Sequence, residues 1–311
     1  MNFTAVDGEP WALPSALPAE LPSTRVRLAT AAGQVALYEV GPLHHRQAPG
    51  VPLVLVHSVN AAASAAEVRP IAEQFAAHCP VFALELPGFG SSAREDRRYT
   101  PQAMAQAILD ALRHIRARGY GPVNLLAVSL SCEFAALAAL EAPGDIARLA
   151  FVSPTGVGKR LTGQYRPGAT REIGWLTRAI KGRRWSKSLF KLLTKPATIR
   201  FFLNKTWGSK AIDEALLEYC VLSTQVEGAE HAPLSFVSAA LFTPGIHQMY
   251  EKLTCPVWVA HGTRGDFTDY GGIPSLQTQK PWRVVVYEAG ALCYFEHPQK
   301  FAQDLQSFLT A

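Results

Sequence analysis

The stretch that most constrains this chain runs from Asn124 to Phe134. An apolar run, Val123 to Val128, stops at Ser129, and an alanine-rich helical pattern, Glu133 to Glu141, begins almost at once. Strand, corner and helix in so few residues crowd the backbone, so the positions two either side of the corner must be small. Ala127 and Ser131 meet that demand, although glycine would meet it more easily. A serine at such a corner either caps the helix or carries chemistry. The rest of the chain has to decide between them.

Around this corner, strands alternate with helices. Arg25 to Leu28 and Gln34 to Val40 read as a hairpin about Ala32-Gly33, and Val51 to Val56 as a central strand covered on both faces. A helix is expected over Ala61 to Ala77, a strand over Val81 to Leu84, and a helix from Pro101 to Ile115 opened by Thr100. Further strands are expected at Arg148 to Val152, Pro256 to Gly262 and Arg283 to Tyr287, with a closing helix from Pro298 to Leu309. This alternation predicts an α/β fold with a mostly parallel central sheet and helices on both faces. The alternation stops between 155 and 252, which is read as a helical cap inserted into a core of 23–154 and 253–311. Residues 1–22, rich in Pro and Ala, are read as a loosely docked arm.

Charge sharpens the division. Between Lys159 and Lys210 stand 14 basic residues and one acid, Glu172, a net +13, whereas the remainder carries −8. The overall +5 conceals this. From Glu172 to Leu193, Ile173, Leu176, Ile180, Leu189, Leu192 and Leu193 fall near one helical face with basic residues between them and a break at Gly182. That pattern suits cap helices with a solvated basic face, or a weak contact with an anionic membrane surface. No nucleic-acid-binding module is recognisable. No apolar run approaches the roughly 18 residues that cross a bilayer, and the start lacks a signal-peptide pattern, so a cytoplasmic location is expected. The five cysteines are widely spaced without a Cys-x-x-Cys pair, so neither a disulfide framework nor a metal site is expected.

Four landmarks now stand in fixed order: His57-Ser58 after a strand, Leu86-Pro-Gly-Phe-Gly90, the Ser129 corner, and His261-Gly-Thr-Arg-Gly-Asp266 after a late strand. Together they resemble the α/β-hydrolase superfamily, in its branch with a helical cap. The resemblance implies Ser129 as nucleophile and the N–H groups of Leu130 and Val59 as oxyanion donors. It implies Asp266 as the acid, with Asp269 as a second candidate. It also implies a histidine after Gly290, ahead of an aromatic-Glu-x-Pro tail. The tail is present as Tyr294-Phe-Glu-His-Pro298, but the position holds Ala291.

Without a base a serine hydroxyl is a poor nucleophile at neutral pH. His297 and His231 are the possible substitutes, while His57 and His261 stand where the superfamily often has structural histidines. Glu133, in the first turn after the corner, either stabilises the helix end or takes part in other chemistry. The expected activity is therefore a cofactor-free serine hydrolase with a degenerate triad, acting on a small or medium apolar or amphiphilic ester-like substrate. The alternative is a hydrolase-fold protein that binds a ligand, or does lyase-type chemistry, without an acyl-enzyme.

Overall fold

The computed structural model describes residues 11–41, 50–158, 163–180, 184–266, 269–279 and 282–311. Eight strands form one sheet: β1 (Ser23–Thr30), β2 (Gly33–Val40), β3 (Leu53–Val56), β4 (Val81–Glu85), β5 (Val123–Val128), β6 (Ile146–Val152), β7 (Val257–Gly262) and β8 (Arg283–Tyr287). Their order is β1-β2-β4-β3-β5-β6-β7-β8. β1 and β2 pair antiparallel, as do β2 and β4; all other pairs are parallel. The expected hairpin forms, but its turn is Ala31-Ala32, one residue earlier than expected, with Thr30 paired to Gly33.

Burial explains why the central strands read as unbroken apolar runs. Every residue of β3 and β5 is buried. Along β3, Val54 and Val56 join the core on one face and Leu53 and Leu55 the core on the other. The first face is covered by α2 (Pro101–Ala117) and α3 (Ser131–Glu141), and the second by α1 (Arg69–Phe75), α11 (Cys293–Glu296) and α12 (Pro298–Leu309). Thr100 caps α2 by accepting the Ala103 N–H at 3.2 Å. One expected helix is much shorter than predicted. Of Ala61 to Ala77, only a 3₁₀ turn (Ala65–Val68) and α1 form. Pro70 has no N–H and must lie in a first turn, and the Asn60 side chain takes the Ala62 N–H at 2.7 Å.

Between β6 and β7 the described residues carry six helices: α4 (Gly174–Ile180), α5 (Arg184–Leu193), α6 (Pro196–Trp207), α7 (Glu214–Ser223), α8 (His231–Val237) and α9 (Ile246–Tyr250). A short α10 (Ile273–Gln279) follows β7. The insert reaches the carboxyl ends of the strands at several points. Thr206 O accepts from Ala291 N after β8, the Thr243 N–H donates to Glu133 in α3, and the Tyr250 hydroxyl donates to Thr155 O after β6. The single apolar face expected over Glu172 to Leu193 is only partly formed. Ile180 is buried and Leu176, Leu189 and Leu193 are half-buried, yet Ile173 and Leu192 are exposed while Phe190 is buried. α4 and α5 are separate helices, so their phases are independent; Gly182 itself lies outside the described residues.

The arm is docked rather than loose from Leu13 onward. Leu13, Ala16 and Leu17 are buried. Trp11 is clasped by two guanidinium groups, those of Arg25 and Arg27, at 4.1 and 4.2 Å from its ring centre. Pro14 O accepts from Arg25 of the sheet and from the Tyr219 hydroxyl of α7, both at 3.0 Å.

Candidate active site at the strand-helix corner

Ser129 follows β5 with φ +56°, one of three non-glycine residues at positive φ among those described. For a residue with a Cβ this conformation costs roughly 1–3 kcal/mol. It is held by the Ser129 N–H donating to Val152 O at 2.8 Å and by Ser129 O accepting from Cys132 N at 3.1 Å. The small neighbours have distinct duties. Ala127 is fully buried beneath the turn, whereas Ser131 donates its hydroxyl to His57 O at 2.5 Å, tying the first turn of α3 to the end of β3.

That second strand end is tightly organised. His57 is buried with both ring nitrogens engaged: Nε2 accepts from Leu86 N at 3.0 Å, so Nδ1 carries the proton and donates to Ser58 O at 2.5 Å. Burial lowers its pKa to about 4, and it stays neutral at physiological pH. Glu67 accepts from Ser58 N at 2.8 Å and from Asn60 Nδ2 at 2.6 Å, fixing the loop between them. Burial raises the Glu67 pKa against the pull of those donors. Ser58 N–H is thus spoken for, but among the described residues neither Val59 N–H nor Leu130 N–H has a protein acceptor. Both residues are nearly fully buried. Unpaired N–H groups in such surroundings are rare, and donors of this kind at the ends of neighbouring strands suit a developing oxyanion.

The positions expected to hold the triad partners each have other contacts. Ala291 is pinned through its backbone: its N–H donates to Thr206 O at 2.9 Å and its carbonyl accepts from Ser153 Oγ at 2.7 Å. A Cβ on Gly290 would lie 2.4 Å from Trp207 Cα, so the end of α6 closes directly onto this loop. The Tyr294-to-Pro298 tail has a structural use here, because Glu296 accepts from Gly290 N at 2.7 Å and pairs with Arg264. Asp266 is exposed and paired with Lys205 of α6 at 2.6 Å, while Asp269 accepts from Gly271 N at 3.4 Å. His231 faces Asp96 at 3.6 Å and Glu230 at 3.9 Å, and His297 stacks on Tyr287. Among the described residues no side chain hydrogen-bonds the Ser129 hydroxyl. Cys293 is buried, which raises its thiol pKa and keeps it un-ionised.

Two further groups lie near the strand ends: Glu133, which the sequence offered without its surroundings, and Tyr270, which it did not offer. Glu133 is buried, accepting from the Thr155 hydroxyl at 2.6 Å and from Thr243 N at 2.8 Å, and burial raises its pKa to about 7. Tyr270 stacks on His261 with ring centres 4.1 Å apart and hydrogen-bonds Ser153, which in turn holds Ala291. Burial raises the Tyr270 pKa to about 12, so at neutral pH it is a donor and not a base. Ser153, at φ +48° directly after β6, was the one available sequence signal, a hydroxyl at a strand end. A cavity of about 240 Å³ lies elsewhere, between Trp11, Arg27, Gln34, Arg94 and Glu227.

A family model described as "Alpha/beta hydrolase family" matches residues 53–304. The chain belongs to that family. Solved members of similar fold include a 2-hydroxy-6-oxo-6-phenylhexa-2,4-dienoate hydrolase from Rhodococcus sp. strain RHA1, with a TM-score of 0.70 at 15% identity over 94% of this chain and 100% of that one. An enol-lactonase from Burkholderia xenovorans LB400 gives 0.69 at 15% identity, over 93% and 100% of the respective chains. A carboxylesterase from Bacillus subtilis gives 0.67 at 17% identity, over 93% and 92%. At these identities the likeness establishes the α/β-hydrolase fold and nothing finer. No curated protein matches the sequence. Within the family fold, the Ser129 corner and the Val59 loop occupy the carboxyl edge of the parallel strands β3 and β5.

Proposed function

We propose that the protein is a serine hydrolase of this family with a degenerate triad, acting on a small or medium apolar ester-like substrate. The strained Ser129, together with two buried N–H groups that have no acceptor among the described residues, carries this reading, since strain of this kind persists where a site requires it. In the reaction Ser129 Oγ bonds to the carbonyl carbon and the carbonyl π pair moves onto oxygen, held by Val59 and Leu130 N–H. The carbonyl re-forms and expels the alkoxide, which takes a proton from solvent water; a second water then adds to the acyl carbon, the bond to Ser129 Oγ breaks, and the acid is released as the serine is reprotonated. No imidazole takes the serine proton, so it passes to solvent hydroxide. Oxyanion stabilisation and binding without a full triad leave about 10³–10⁴-fold catalysis over water.

A fluorophosphonate probe tests the nucleophile. Stoichiometric labelling that disappears in Ser129→Ala is expected; absence of labelling at every pH would exclude an activated serine. A second measurement follows from the missing base. The logarithm of kcat/KM should climb through neutrality with a slope of about 1 per pH unit, lacking the plateau that follows titration of an imidazole near pH 6.5. A plateau would reveal an unrecognised base. The alternative, a ligand binder or lyase without an acyl-enzyme, is supported by α6 closing on the Gly290-Ala291 loop. Its signature is ligand affinity unchanged in Ser129→Ala.

A further inference from the structure

The insert presents its apolar residues outward to an unusual degree. Of the ten large apolar side chains exposed among the described residues, eight belong to it. The most prominent run through three successive helices: Trp175 in α4 (67% exposed), Trp185 and Leu192 in α5, and Phe201 and Phe202 in α6. On α5 the two faces are sorted by phase. Ser186, Phe190 and Thr194, four apart, turn inward, whereas Trp185, Ser188 and Leu192 form the outward ridge. Phe201 and Phe202 contact edge-to-face at 5.5 Å on the outside of α6, while Ile199 and Trp207 fill its inner side.

Basic residues border this apolar ridge. Lys191 and Lys195 are exposed and have no acidic partner among the described residues, and the exposed Arg178 donates to the Gly174 carbonyl. Lys187 and Arg200 are exposed but paired, with Glu230 and Glu214. An indole and phenyl ridge fringed by ammonium and guanidinium groups fits the boundary between headgroups and acyl chains, where aromatic rings bury their apolar bodies and cations meet lipid phosphates. From these features we infer that α4, α5 and α6 form a docking face for anionic phospholipid bilayers. A second copy of the chain is disfavoured on this face, since two segments of +13 would oppose each other. The segment's sign is opposite to that of the remaining chain, at −8, so an anionic surface orients the molecule with the insert toward the lipid.

The test is flotation of the full chain with phosphatidylcholine vesicles, with and without about 30 mol% phosphatidylglycerol. Partitioning onto the anionic vesicles should exceed that onto neutral ones roughly tenfold, and fall steeply in about 0.5 M NaCl. The exposed-site variant Trp185→Ser/Leu192→Ser should lose about tenfold in partitioning while keeping its thermal midpoint. A charge variant, Lys191→Glu/Lys195→Glu, should lose the preference for anionic vesicles. Equal, negligible flotation with both vesicle types would overturn the proposal. So would binding that polyglutamate reproduces and the Trp185/Leu192 variant leaves intact, which would point to an acidic polypeptide instead. Ser129→Ala should float like the parent, so failure here and failure of the hydrolase reading are separable.

Discussion

Ala291→His is expected to raise kcat/KM for a short-chain aryl ester about 10²-fold at pH 8. A positioned general base contributes about 10²–10⁴-fold, and the lower end applies because the acid side of the relay is poorly placed. Asp266 is exposed and held by Lys205, so it would not orient the new ring. The backbone, by contrast, is ready to receive it. The loop is fixed by the Gly290, Ala291 and Ser153 hydrogen bonds, none of which uses the side chain at 291. The pH profile should change with the rate, turning from a continuous climb into a sigmoid with its midpoint near the histidine value of about 6.5. Ser129→Ala in the same background should return the activity to the baseline. An unchanged rate, with the fluorophosphonate label still attached to Ser129, would show that Thr206 and Trp207 deny the ring its place.

Glu133→Gln should alter how stability depends on pH by about 3 kcal/mol. The native carboxyl titrates at about 7, against an ordinary value of 4.5, because burial disfavours its charged form. Between those values the folded chain binds the extra proton, so its contribution is fully present below pH 4.5 and is lost as pH rises through 7. A shift of this size, at about 1.4 kcal/mol per pH unit, amounts to about 3 kcal/mol. His57 acts in the opposite sense: held neutral with a pKa of about 4, it costs stability as pH falls from 6.5 towards 4. Comparing variant with parent cancels His57 and isolates Glu133. Urea unfolding at pH 4.5 and pH 8 should therefore show the difference moving in the variant's favour as pH rises. Parallel curves would mean that the carboxyl ionises freely in the folded state.

Much of the fold could be read from periodicity alone, because β3 and β5 are buried on both faces and so are apolar throughout. The Ser129 corner follows a local rule that a short stretch obeys, whereas the strand order, with β4 between β2 and β3, was not read from the sequence. The alanine at position 291, where the resemblance implies a histidine, was equally visible, since the tail from Tyr294 to Pro298 kept the frame around it. What escaped depends on distant partners. Asp266 pairing with Lys205, and Trp207 closing on Gly290, join segments about a quarter of the chain apart. No spacing rule relates them. Tyr270 is similar: nothing near it in sequence announces the hydroxyl of Ser153. Glu133 could be placed in its helix, but its raised pKa comes from burial, which outweighs the opposing hydrogen bonds from Thr155 and Thr243 and shows only in the folded chain.

The clasp on Trp11 has a mechanical consequence. One short peptide, Trp11 to Leu17, grips the outermost strand through Arg25 and Arg27 and reaches α7 through Tyr219. The sheet's antiparallel edge and α7 thereby share an anchor, although neither follows the other in the chain. Pulling on this peptide would load both at once, so an edge strand and a helix far apart in the chain are braced by the same few residues.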